Sequence, residues 1–137
     1  GYIVEIDGDE YLCSYSFLED KLYNCGYSFH GEHINENEYI KDYENLKRIL
    51  INKYGKPASE ISGFWENDLY KNDRSHWGFA ISIGHLFYGA QWETSRTTIT
   101  LALKGDNYKI QLLLGYDSKE LEAWKNKKEE EKAKSYF

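Results

Sequence analysis

The sequence predicts an α+β domain: an antiparallel β-meander, one main amphipathic helix, a second antiparallel meander and a C-terminal helix. Three observations carry this. The run Tyr54-Gly55-Lys56-Pro57 is a helix stop, because glycine suits the positive-φ position after a last turn and proline cannot continue the hydrogen-bond ladder. Before it, Tyr11, Cys13, Tyr15 and Phe17 alternate with Leu12, Ser14 and Ser16; after it, Thr97 to Lys104 and Tyr108 to Tyr116 read as strands. A period of two marks a strand with one buried face.

The first meander spans residues 2 to 30. Asp7-Gly8 lies between Tyr2–Ile6 and Asp9–Phe17, and a type I′ turn at such a pair needs positive φ at both central residues. That register sets Val4 opposite Tyr11 and Tyr2 opposite Cys13. A turn at Leu18-Glu19-Asp20-Lys21 returns the chain through Tyr23, Cys25, Tyr27 and Phe29, with Leu18 opposite Leu22, Tyr15 opposite Cys25 and Cys13 opposite Tyr27.

The helix is expected over Asn37 to Lys53. Tyr39, Ile40, Tyr43, Leu46, Ile49 and Leu50 recur at spacings of three and four, while Lys41, Asp42, Glu44, Lys47 and Arg48 fill the other side, the pattern of a half-buried helix. Asn35 with Glu38 resembles a capping box. Residues 58 to 75 read as a short strand and a loop. Residues 76 to 88 fit two periods: Trp77, Phe79, Ile81 and Ile83 alternate, whereas Trp77, Ala80, Ile81 and Gly84 make a helical stripe; the strand is preferred. Ala90 to Glu93 is a strand, and Gly105-Asp106-Asn107 is the turn between the last two. Asp117 and Glu120 start the C-terminal helix, with Leu121 and Trp124 facing the sheet.

At 137 residues the chain suits one core rather than two. The expected division is an α+β domain over 1–124 and a charged helical extension or frayed tail over 125–137, where Lys and Glu dominate. Aromatics are 17% of the chain, with 13 Tyr and 4 Trp, so rings build much of the core and their hydroxyls need partners. A net charge of −6 argues against nucleic acid as a partner, since phosphate affinity comes from clustered Lys and Arg. No apolar run is long enough for a membrane span. The chain opens at Gly1 and contains no Met, which reads as a mature product and favours an extracytoplasmic setting, secreted or in the cell envelope.

Potential chemistry is scattered. Cys13 and Cys25 lie diagonally on neighbouring strands, beyond the roughly 7 Å Cα reach of an unstrained bridge, so free thiols are expected. His30, Glu32 and His33 are the densest group of potential ligands, but His76 and His85 are remote, and zinc needs three or four ligands at fixed reach. Asp7, Asp9 and Glu10 lack the alternate oxygen ligands and closing Glu of a calcium loop. Ser75-His76, Asp73, His85 and Glu93 offer nucleophile and base types without a strand-turn-helix elbow or an oxyanion loop. No phosphate loop or dinucleotide fingerprint is present, and no cofactor is expected. Trp65, Trp77, Trp92 and Tyr70 are the candidate binding residues, as aromatics that could form a stacking platform.

The strand ending in Tyr-Ser-Phe, the helix ending in Lys53-Tyr54-Gly55-Lys56-Pro57, the Trp92-Glu93-Thr94 segment and the alternating Thr97-Thr98-Ile99-Thr100-Leu101 strand together resemble small bacterial α+β domains of uncharacterised function. The likeness covers residues 11 to 118; its motifs are structural and imply no catalytic residue. The expected function is a non-enzymatic module that binds a protein or cell-surface ligand through exposed aromatic and acidic groups. Two readings compete with it: a small hydrolase or metal-dependent enzyme using His30, Glu32, His33, His76 or His85, and a structural or dimerising domain that uses its C-terminal helix.

Overall fold

In the computed structural model, which describes residues 1–134, the two meanders are halves of a single seven-stranded antiparallel sheet. The strands are β1 (Tyr2–Ile6), β2 (Asp9–Leu18), β3 (Lys21–Phe29), β4 (Ser59–Trp65), β5 (Leu86–Glu93), β6 (Thr97–Asp106) and β7 (Lys109–Ser118), and their spatial order is β1-β2-β3-β7-β6-β5-β4. The halves join where β3 pairs with β7, with Gly26 opposite Gly115 and Tyr27 opposite Leu114. Helix α1 (Glu38–Tyr54) and the short helix α2 (Trp77–Ser82) cover one face, and α3 (Lys119–Lys134) follows directly from β7. The final three residues of the expected C-terminal extension, 135–137, lie outside the described residues.

The first hairpin has the expected register, Tyr2 opposite Cys13 and Val4 opposite Tyr11, and Asp7 and Gly8 both take positive φ. In the second, Cys13 faces Tyr27 and Tyr15 faces Cys25, but a bulge between Ser16 and Phe17 sets Phe17 opposite Leu22 and Leu18 opposite Lys21. The bulge follows from the turn, because Glu19 and Asp20 occupy the two left-handed positions and close Leu18 directly onto Lys21. The last hairpin turns at Asn107-Tyr108, both at positive φ, one step beyond the expected Gly105-Asp106-Asn107. Gly105 is needed in the strand instead: a Cβ there would stand 2.2 Å from the Ile81 carbonyl oxygen, so it permits α2 to press on β6.

Helix α1 buries Tyr39, Tyr43, Leu46 and Leu50 against the sheet, in a core shared with Ile81, Leu86, Trp92, Ile99, Leu101, Leu103 and Leu112. Gly55 ends it at φ 84°, donating its N–H to Ile51, and its carbonyl accepts the Trp92 indole N–H at 2.8 Å. The expected capping box is not made. Asn35 Oδ1 accepts from the Asn37 backbone instead, and Glu38 turns to Lys41 at 3.1 Å. At the other end of the chain Asp117 stays in β7 and accepts from the Asn24 amide at 2.7 Å, so Ser118, not Asp117, caps α3 by accepting the Leu121 N–H. Leu121 and Trp124 are half-buried; Lys125 lies over Tyr23 and Lys128 reaches Glu19.

Residues 77–82 form a helix rather than the preferred strand. The helical stripe prevails because Ala80 and Ile81 are buried in the core and because Gly78 fits beneath the start of α1. A Cβ on Gly78 would lie 2.3 Å from the Glu36 carbonyl carbon.

Leu46→Ala removes a buried side chain from the α1–sheet contact and is expected to cost about 2 to 5 kcal/mol, measured by urea unfolding. Lys47 is not the isolated surface residue its place on the polar face suggests: Nζ lies 2.7 Å from Glu60 and 3.3 Å from Glu44, tying α1 to the edge strand β4. The hydrogen bond from Lys47 holds the Glu60 carboxyl below its ordinary range. A carboxyl depressed in the folded state stabilises above its unfolded pKa and loses that contribution as pH falls through the folded value. Glu60→Gln is therefore expected to lower stability by about 1 kcal/mol or less at pH 7, with the difference from the parent vanishing in unfolding curves recorded below the carboxylate range.

Candidate functional site

The four candidate aromatics separate into one core residue and a cluster. Trp92 is 1% exposed and held by Gly55, so it is structural and presents no binding face. Trp65, Trp77 and Tyr70 are half-buried and gather around the segment between β4 and β5. Local hydrogen bonds shape this segment. Asn67 Oδ1 accepts from the Leu69 N–H, Glu66 N–H donates to His85, and Asp73 caps a short 3-10 turn over Arg74–His76. Asn37 then receives the turn from α1: its Nδ2 donates to the Ser75 carbonyl at 3.1 Å and its Oδ1 accepts the Gly78 N–H at 2.7 Å.

Trp77 is consequently held on three sides. Its indole N–H donates to the Lys71 carbonyl at 3.2 Å, its ring meets Trp65 edge-on with centroids 5.6 Å apart, and the Arg74 guanidinium lies 4.9 Å from its ring centre. Trp77 and Arg74 line an open cleft of about 460 Å³ between α1 and β4, together with Ile40, Lys41, Glu44, Ser62 and Tyr88. Ile40, Trp77 and Tyr88 give the cleft apolar surface, and Lys41, Glu44 and Arg74 set charged groups around it. Arg74 escaped the sequence reading. The signal for it is the Asp73-Arg74-Ser75 run, in which the aspartate serves as cap and leaves the arginine facing outward.

Asp73 is engaged away from Arg74. Oδ1 accepts from both the backbone N–H and the hydroxyl of Ser75, the latter at 2.6 Å, and Oδ2 lies 2.6 Å from His76 Nδ1. These bonds, Ser75 first and then His76, hold its carboxyl below the ordinary value. The group is not a nucleophile, base and acid in series. Ser75 donates to the carboxylate, and the imidazole nitrogen near its hydroxyl, Nδ1 at 3.2 Å, is the one Asp73 already engages. Tyr70 stacks on His76 at 5.2 Å and on His85 at 6.2 Å.

His30 and His33 lie elsewhere. His33 stacks on Phe29 and its Nε2 meets Asp42 at 2.6 Å; burial pushes the Asp42 carboxyl up, against the opposing pull of His33. This pair lies beside an open hollow of about 540 Å³ lined by Glu32, His33, Ile34, Glu36, Tyr108 and Lys109 among others. The five residues of the metal reading thus fall into two separate groups. Among the described residues no three His, Cys, Asp or Glu side chains are placed to hold one metal ion. No helix there is long and apolar enough to cross a membrane.

No protein-family model, curated protein or solved structure matches the chain.

Both cysteines are free thiols, in the diagonal placement their strands dictate. Cys13 is 0% exposed, whereas Cys25 is half-buried, and burial raises its thiol pKa. Thiol labelling of the native, unreduced protein is expected to modify Cys25 first and Cys13 only on unfolding, with two reactive groups in denaturant. No reactive group in denaturant would mean a bridge and a different strand register.

Proposed function

We propose that this chain is a non-enzymatic binding module, of bacterial origin and acting on a protein or cell-surface ligand, and that its binding site is the cleft beside Trp77. The observation supporting the reading is the Arg74 guanidinium stacked over a fixed, half-buried Trp77 at the mouth of an open cleft. Trp and Arg contribute disproportionately to recognition because they combine a large apolar area with directed donors at low ordering cost. Here the ordering is already done by Asn37, Asp73 and the Lys71 carbonyl. Pre-ordered side chains reduce the entropy lost on binding.

The enzymatic alternative has less support, since the Ser75, His76 and Asp73 bonds do not direct a serine proton to a free imidazole nitrogen. The dimerising alternative has only α3, none of whose side chains is buried and whose face is nearly all Lys and Glu.

Binding of the full chain to peptide and glycan arrays tests the proposal. A ligand found this way is expected to be lost by Trp77→Ala and retained by Lys104→Ala, which changes an exposed residue of β6. Binding unaffected by Trp77→Ala would place the site elsewhere on the protein.

A further inference from the structure

Resting on that reading, we infer that the ligand of the Trp77 cleft presents a carboxylate, received by the guanidinium of Arg74. An arginine fork matches a carboxylate in two parallel hydrogen bonds, and the fork here is unused. Among the described residues no carboxylate lies within ion-pair distance of Arg74, whose contact is with the Trp77 ring.

Every other charged group around the cleft is committed. Lys41 is paired with Glu38 at 3.1 Å, Glu44 with Lys47 at 3.3 Å, and Asp73 with Ser75 and His76. The Asn37 amide is spent on Ser75 and Gly78. A ligand anion thus meets one cation without a carboxylate partner in the chain, its guanidinium already resting over Trp77, so less side-chain entropy remains to be lost.

A single negative charge fits better than a phosphate dianion. Glu44 lines the same cleft and the chain carries a net −6, and both repel a dianion more strongly than a carboxylate. The rest of the ligand is apolar or aromatic where it meets Trp77, Tyr88 and Ile40.

Sodium benzoate and its neutral isostere benzamide separate the charge from the ring. The full chain, labelled with 15N, is titrated with each at constant ionic strength while the Arg74 Nε–H and Trp77 Nε1–H resonances are followed. Benzoate is expected to give a saturable shift of both resonances and to bind at least about tenfold more tightly than benzamide, the worth of a charged hydrogen bond. Arg74→Gln, a change at an exposed position, is expected to bring benzoate down to the benzamide level in the ligand-dependent shift of the Trp77 resonance, measured from that variant's own starting spectrum.

Equal binding of the two probes, or benzoate binding unchanged in Arg74→Gln, would overturn the carboxylate while leaving the cleft a binding site. Inorganic phosphate saturating the Arg74 shift at lower concentration than benzoate would overturn it in favour of a phosphate ligand. A Trp77 resonance unmoved by both aromatic probes at saturating concentration would remove the cleft itself, and the proposed function with it.

Discussion

One junction positions everything that has been read as functional: the side chain of Asn37 held between α1 and α2. Its amide accepts the Gly78 N–H at 2.7 Å and donates to the Ser75 carbonyl at 3.1 Å. The contact requires glycine at 78, since any Cβ would overlap the backbone of Glu36 and Asn37. A short polar side chain at a helix start can serve a neighbouring segment in place of its own first turn. Asn37 does so here, making no cap bond to α1. The long connection between β4 and β5 is thereby clamped to α1, and Arg74 and Trp77 are carried with it.

The same economy of polar groups runs through the core. Gly55 ends α1 and also accepts from Trp92, so the helix stop doubles as the partner that a buried indole needs. Not every ring is served this way. The Tyr43 hydroxyl is buried without a partner among the described residues, and burial raises its pKa further. Tyr43 packs on Tyr88 with centroids 5.4 Å apart, and Tyr88 continues to the cleft. The aromatic core thus runs through Tyr88 into the wall of the cleft.

What could be read from the sequence was whatever neighbours in the chain decide. The Asp7-Gly8 hairpin, the register of Cys13 against Tyr27, and the Tyr39, Tyr43, Leu46, Leu50 face all follow from local turn chemistry and periodicity. The joining of β3 to β7 was not legible, because Gly26 and Gly115 give no pairing signal and the contact spans most of the chain. Residues 77–82 satisfied two periods at once, and the choice between them came from Asn37 and Gly105, far away in sequence. Trp92 offered the same difficulty in reverse: its indole looks available until Gly55 is brought to it. Arg74 was marked only by its place after the capping Asp73, and what matters about it, the absence of an acid paired with it, shows only in the fold.

That absence has a structural cause. Three cations stand at the gap between α1 and β4: Lys41, paired with Glu38 on its own helix, and Lys47 and Arg74, with Glu44 and Ser62 beside them. Lys47 is answered from within the chain by Glu60, which closes its side with a bond between helix and edge strand. Arg74 has Asp73 as its nearest neighbour in sequence, but a capping aspartate must face the turn it caps, and its second oxygen is taken by His76. The geometry that makes the 3-10 turn therefore denies Arg74 an internal partner, while Trp77 holds its guanidinium at the surface. One side of the gap is closed by the protein's own carboxylate, and the other is left with a cation in place to accept one from outside.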